Sequence, residues 1–134
     1  MRSVLIAFLT FTSFSGIALA AHTKRIGVIP EALWGSWALT SDLCKGIDKP
    51  LAISAQAYVS SEATCKVMSV SETPGGRGSI YSAHLLCSKE PGKTTESNLI
   101  LVPTKDPNRI SMGPDFRNLK NYERCTSTSS SRVK

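Results

Sequence analysis

Four cysteines, two histidines and one glycine-rich run are the residues of this chain whose types and spacing could do chemistry. Cys44, Cys65, Cys87 and Cys125 include no C-x-x-C pair of the kind a zinc site is built from. An even number of cysteines in a small exported chain instead predicts two disulfides, for which three pairings exist. With every thiol paired, none is left as a nucleophile. His22 lies near the start of the chain and His84 inside a β-like run. His84 and Cys87 are three apart, so in a strand they face opposite sides and cannot share a metal. His84 shares its face with Ile80 and Leu86, as a structural histidine would. No G-x-S-x-G, S-x-x-K or H-E-x-x-H motif occurs, and the carboxylates are scattered, mostly in turns. These residues predict no catalytic group, no metal and no cofactor, and so a protein that binds rather than catalyses.

The run Pro74-Gly75-Gly76-Arg77-Gly78 has the glycines of a phosphate cradle. It lacks the Lys-Ser/Thr ending and the following helix that such a loop needs. A mobile hairpin tip over residues 73–81 is the expectation, and tips on rigid scaffolds often carry function. Arg77 and Tyr81 are its side-chain tools, a bidentate cation and an amphipathic ring.

The elements that would position these residues are read around Leu33-Trp34-Gly35-Ser36-Trp37-Ala38-Leu39, which carries both tryptophans. Trp37 and Leu39 alternate with small residues, the pattern of a half-buried strand. Pro30 fits the first position of a single helical turn over 30–34 leading into it. Residues 51–59 read as two short β-like runs or one strand with a weak middle, with helix as the competing reading of their alanines. Strands are expected over 64–70, 80–87, 97–102, 109–112 and 119–125, punctuated by turn signals at 73–78, 88–92, 106–108 and 113–115. Seven or eight short strands at regular spacing predict an all-β fold, a small antiparallel β-barrel with a short N-terminal helical turn and two disulfides. Closure solves the edge-strand problem for so small a domain.

The chain has 134 residues. Residues 1–20 read as a secretory signal peptide, with Arg2 before an uncharged apolar run and Ala18-Leu19-Ala20 as the cleavage site. A mobile leader is expected at 21–29, the barrel domain at 30–125 and a disordered Ser/Thr-rich tail at 126–134. The formal net charge of +6 falls to +5 once Arg2 leaves. Lys105, Arg109, Arg117, Lys120, Arg124, Arg132 and Lys134 crowd the second half, a surface that favours an acidic protein face or an anionic envelope component. Nucleic acid is excluded by compartment and by the lack of interleaved basic and aromatic residues. A membrane is met only during export, and a monomer in the periplasm or outside the cell is expected. By position in the strands, Cys44 is expected to pair with Cys65 and Cys87 with Cys125.

Two resemblances add to this. Pro30 to Leu39, with Gly35-Ser36-Trp37 inside it, resembles the opening of lipocalin-like barrels, where a short helical turn precedes a Gly-x-Trp strand. The resemblance implies a core role for Trp37 and a late basic residue packed over it, for which Arg124 is the matching position. Exported bacterial inhibitors of secreted metalloproteases are similar, and in them a mobile N-terminal leader enters the protease cleft. Gly76-Arg77-Gly78-Ser79-Ile80-Tyr81 resembles the loop that periplasmic lysozyme inhibitors insert into the lysozyme cleft. That resemblance implies inhibitory roles for Ser79 and Tyr81, beside Arg77. The function expected is inhibition of an extracytoplasmic hydrolase, a lysozyme or a protease, through a protruding loop. The alternative is a calycin-like carrier or envelope-associated protein holding a small or anionic ligand.

Overall fold

The computed structural model describes residues 22–46 and 49–126. The expected signal peptide, and the expected tail beyond Thr126, lie outside the described residues. In chain order the elements are β1 (Lys24–Arg25), a 3-10 turn (Glu31–Leu33), β2 (Gly35–Ala38), a second 3-10 turn (Ser41–Lys45), β3 (Leu51–Ile53), β4 (Ala57–Val59), β5 (Thr64–Gly75), β6 (Gly78–Glu90), β7 (Lys93–Pro103), β8 (Arg109–Gly113) and β9 (Lys120–Arg124). Each strand from β2 to β9 pairs antiparallel with the next, and β9 pairs back onto β2. The result is a closed eight-stranded up-and-down barrel, as the strand spacing predicts. β1 lies on β5, along the edge that β4 leaves free after Lys66.

Side-chain alternation fills the interior. Ala83, Leu85 and Cys87 on β6 point inward, as do Leu99 and Leu101 on β7 and Ile110 and Met112 on β8. On β5 the inward set changes parity. Cys65 and Val67 are buried, then a bulge between Val67 and Ser69 turns Met68 outward, and Val70 resumes the core. Residues 51–59 form a hairpin rather than one strand, because the chain turns between Ile53 and Ala57, and Ile53 and Tyr58 then lie side by side on the inner face.

One end of the barrel is plugged. Leu33 and the fully buried Ile29 fill it, and the Ile29 N–H donates to Ala55 O at 3.0 Å. The segment before the plug, expected to be a mobile leader, is held against the barrel instead. Lys24 and Arg25 pair with Glu72 and Ser71, and the Ile26 N–H donates to Val70 O at 2.9 Å. The unpaired edge of β5 supplies the backbone partners that anchor it.

The seam between the first and last barrel strands is built from the Gly-x-Trp motif. Trp37 is opposite Arg124, only 1% exposed, and its indole N–H donates to Leu33 O at 3.1 Å. The Arg124 guanidinium carbon lies 4.3 Å from the centre of the Trp37 ring. Its N–H groups donate to the carbonyls of Trp34, Ala32 and Pro107. Gly35 has φ +126, and a Cβ there would stand 3.1 Å from the Arg124 Nη1. Glycine is therefore required twice, by backbone and by space.

The disulfides differ from the expected pairing. Cys44 bonds to Cys125, and Cys65 to Cys87. Barrel closure is the reason for the first, since it brings the end of β9 beside the turn after β2. Register is the reason for the second, because Cys65 and Cys87 face each other across the β5–β6 ladder. All four thiols are consumed, which places the chain in an oxidising compartment. Among the described residues no helix is long and apolar enough to cross a membrane.

Trp37→Ala is expected to cost about 3–5 kcal/mol, as for a buried large aromatic. Trp34 is 36% exposed against 1% for Trp37, so Trp34→Ala should cost clearly less in the same denaturant titration. The loops closed by the disulfides span 81 and 22 residues of sequence separation. Paired replacement of Cys44 and Cys125 by Ala should then cost about 4–5 kcal/mol, against about 3–4 kcal/mol for Cys65 and Cys87, in the chain-entropy description. Peptide mapping without reductant checks the connectivity directly.

Candidate functional site

β5 and β6 are the longest strands, and together they outrun their neighbours at the plugged end. β4 is paired with β5 only as far as Lys66, and β7 with β6 only as far as Tyr81. Beyond this the two strands continue as a hairpin of their own, down to the pair Gly75–Gly78. The turn is thus confined to Gly76 and Arg77, tighter than the 73–81 loop expected from the glycines. Pro74 and Ser79, read as loop residues, are opposed strand residues.

The three predicted binding residues separate into two groups. Arg77 is exposed at the tip. Ser79 and Tyr81 are brought together on the Glu72 carboxylate, the Ser79 hydroxyl donating at 2.7 Å and the Tyr81 hydroxyl at 3.5 Å. Tyr81 shares the inner face with Ala83 and Leu85 and packs against the core, so its ring is not free at the surface. Glu72 faces inward because of the bulge at Met68, which shifts the parity of β5. Thr23 meets Thr73 across the outer edge, hydroxyl to hydroxyl, at 3.1 Å. The hairpin is stiffened on both sides while its tip stays bare.

Beside that tip, Arg77, Thr104, Lys105, Asp106 and Arg109 border a groove of about 380 Å³. Arg109 is shared between Asp106 at 3.9 Å and Glu123 at 3.5 Å. Arg77 and Lys105 leave the groove basic. The other late cations among the described residues are elsewhere, and Arg132 and Lys134 lie outside the described residues. Arg117 sits in the loop between β8 and β9, and Lys120 at the opposite end of the barrel.

That opposite end is open. Two adjoining hollows of about 350 and 410 Å³ share Tyr58, Ser60, Glu62, Lys120 and Tyr122. Tyr58 is pushed above the usual phenol range by burial, and further by Tyr122 and the Glu62 carboxylate. Tyr122 is raised by burial alone. Neutral phenols therefore face this bowl, above a floor of Leu85, Leu99, Met112 and the Cys65–Cys87 disulfide. On its rim, the Asp115 carboxylate accepts from the Arg117 N–H at 2.8 Å and from the Asn118 side-chain amide at 2.8 and 2.9 Å. The Asn118 and Arg117 bonds hold the Asp115 carboxyl below the ordinary range. His84 lies on the outer wall, with Nδ1 3.2 Å from Asn98 Oδ1 and Nε2 3.9 Å from Glu96. Among the described residues no three potential metal ligands cluster.

Glu72, Tyr58 and Tyr122 were not legible as site residues. Each meets its partners across strands, so no spacing along the sequence announces them. Comparison with protein-family models, with curated proteins and with solved structures finds no match to this chain.

The raised phenols make a pH prediction with a definite sign. A tyrosine whose folded pKa lies above its unfolded value contributes stability that is complete below about pH 10 and is lost as pH rises beyond it. Unfolding measured across that range should show stability falling. Tyr58→Phe, which cannot ionise, should flatten the fall.

Proposed function

We propose that this chain is an exported binding protein, periplasmic or secreted, that inhibits an extracytoplasmic hydrolase by presenting the β5–β6 hairpin to the enzyme's cleft. The observation that carries this reading is the shape and stiffness of that hairpin. It is two strands wide, ends in a two-residue turn, and is braced by the Glu72 bonds to Ser79 and Tyr81 and by β1 along its edge. A narrow element of this kind enters a cleft that a barrel wall cannot. Because it is already ordered, little conformational entropy is lost on docking. In this reading Arg77 touches the target, while Ser79 and Tyr81 hold the wedge in shape. The basic groove beside the tip favours an acidic enzyme surface over a strongly basic one. The likeness of Gly35-Ser36-Trp37 and Arg124 to lipocalin-like inhibitors supports the same reading, now with the guanidinium over the indole.

A second reading is favoured by the open bowl. A volume of about 350 Å³ with an apolar floor falls in the range of small-ligand sites. A carrier of a small or anionic ligand would use that end, where Lys120 and the two phenols supply polar contacts.

Affinity capture from envelope extracts identifies the hydrolase, and titration then separates the readings. Arg77→Ala should weaken binding to that enzyme by at least about 2 kcal/mol, roughly thirtyfold, with the melting temperature unchanged. Unaltered binding by Arg77→Ala, and by a variant lacking residues 21–25, would reject the hairpin wedge.

A further inference from the structure

Beyond the hairpin at the plugged end, we propose that the open end carries a docking slot for an extended peptide segment of another exported protein, which adds as a strand to the free edge of β7. β7 is paired with β6 along nearly its whole length, from Lys93 opposite Glu90 to Leu101 opposite Tyr81. Its other neighbour, β8, joins it only from Ile100 onward, opposite Gly113. Among the described residues no strand pairs with this edge of residues 93–99, a stretch of about 20 Å at roughly 3.4 Å per residue. Residues 93–98 are all exposed. On such an edge every second residue points its N–H and C=O outward, a template that an extended backbone matches bond for bond.

The first of the open-end hollows lies along this edge. Thr95, Ser97 and Leu99 are on one face of β7 and Glu96 and Asn98 on the other, yet all five border the same hollow. A hollow touched by both faces of a strand runs beside the strand's edge. Across it stand Gly113, Pro114 and Asn118. Pro114 has no N–H, and the chain turns away there, so this lip offers no competing strand. The floor of Leu85, Met112 and the Cys65–Cys87 disulfide is apolar and takes alternate side chains of the incoming segment.

The lips select a backbone rather than a net charge, since Lys89 and Lys120 are matched by Glu62 and Glu96. A second copy of this chain is a poor occupant. Its own β7 edge would bring Thr94, Thr95, Glu96, Ser97 and Asn98, none of which fills an apolar floor. The occupant that fits is a segment alternating apolar and polar residues.

The probe is a short synthetic peptide alternating Thr and Val, with blocked ends, added to the disulfide-intact protein. Amide hydrogen exchange, read residue by residue, should slow at least about tenfold at alternate positions within 93–99. Two N-methylated versions, each blocked on one alternate set of amides, should differ: one still binds and the other does not. Ser97→Trp, which fills the slot from an exposed position, should weaken binding at least about tenfold with the melting temperature unchanged. Arg77→Ala should have no effect, which keeps this test apart from that of the hairpin. Equal binding by both methylated peptides would overturn strand addition and leave a pocket for small apolar groups. Protection that appears without peptide and grows with protein concentration would assign the edge to a second copy. Absence of binding at saturating peptide would reject the slot.

Discussion

A guanidinium over an indole, 4.3 Å from the ring centre, marks the seam that shuts this barrel. Arg124 stacks on Trp37 at the one seam where strands far apart in sequence must meet, and its N–H fork reaches the carbonyls of Ala32, Trp34 and Pro107. One side chain thus joins the last strand, the 3-10 turn that plugs the barrel and the β8 approach. Lysine could not replace it, because a point charge neither stacks nor divides its donors in this way. Gly35 is the price of that arrangement, and the Cys44–Cys125 bond locks the same seam covalently from outside.

The two ends of the barrel are built differently. At the plugged end, Ile29, Leu33 and β1 surround the base of the β5–β6 hairpin, so rigidity is greatest where the chain projects. At the open end, β6 and β7 rise past their neighbours, β8 falls away, and backbone groups are left facing solvent. The same long strands serve both ends, since β5 and β6 run through the barrel from one to the other. The cross-strand Cys65–Cys87 disulfide, near the open end of that pair, pins their register.

The fold was largely legible in the sequence, because the strands are separated by turn residues and amphipathic with a period of two; the lengths of β5, β6 and β7, which run to 12, 13 and 11 residues, were not. The Gly35-Ser36-Trp37 stretch and Arg124 were legible as a pair only through resemblance; no local pattern links residues so far apart. Features that break the period were not legible. The bulge at Met68 moves Glu72 to the inner face, and with it the partners of Ser79 and Tyr81. The cysteine pairing failed for a related reason: proximity in a barrel is set by register and closure, whereas the expected pairs were drawn from positions along the chain. The leader was read as mobile because it is a terminal segment. Its anchor is the vacant edge of β5, a tertiary feature.

The seam also sets the order of events when the chain first folds. β2 and β9 are the opening and closing strands of the barrel, so a chain emerging with its N-terminus first carries Trp37 for almost its whole passage with no Arg124 to cover it. Local hairpins such as β5–β6 and β6–β7 pair early, at little cost in loop closure. The cylinder, by contrast, is sealed only when its final strand arrives. Until then the sheet keeps two unpaired edges, and the β2–β9 pairing that removes both is the last one the chain order allows.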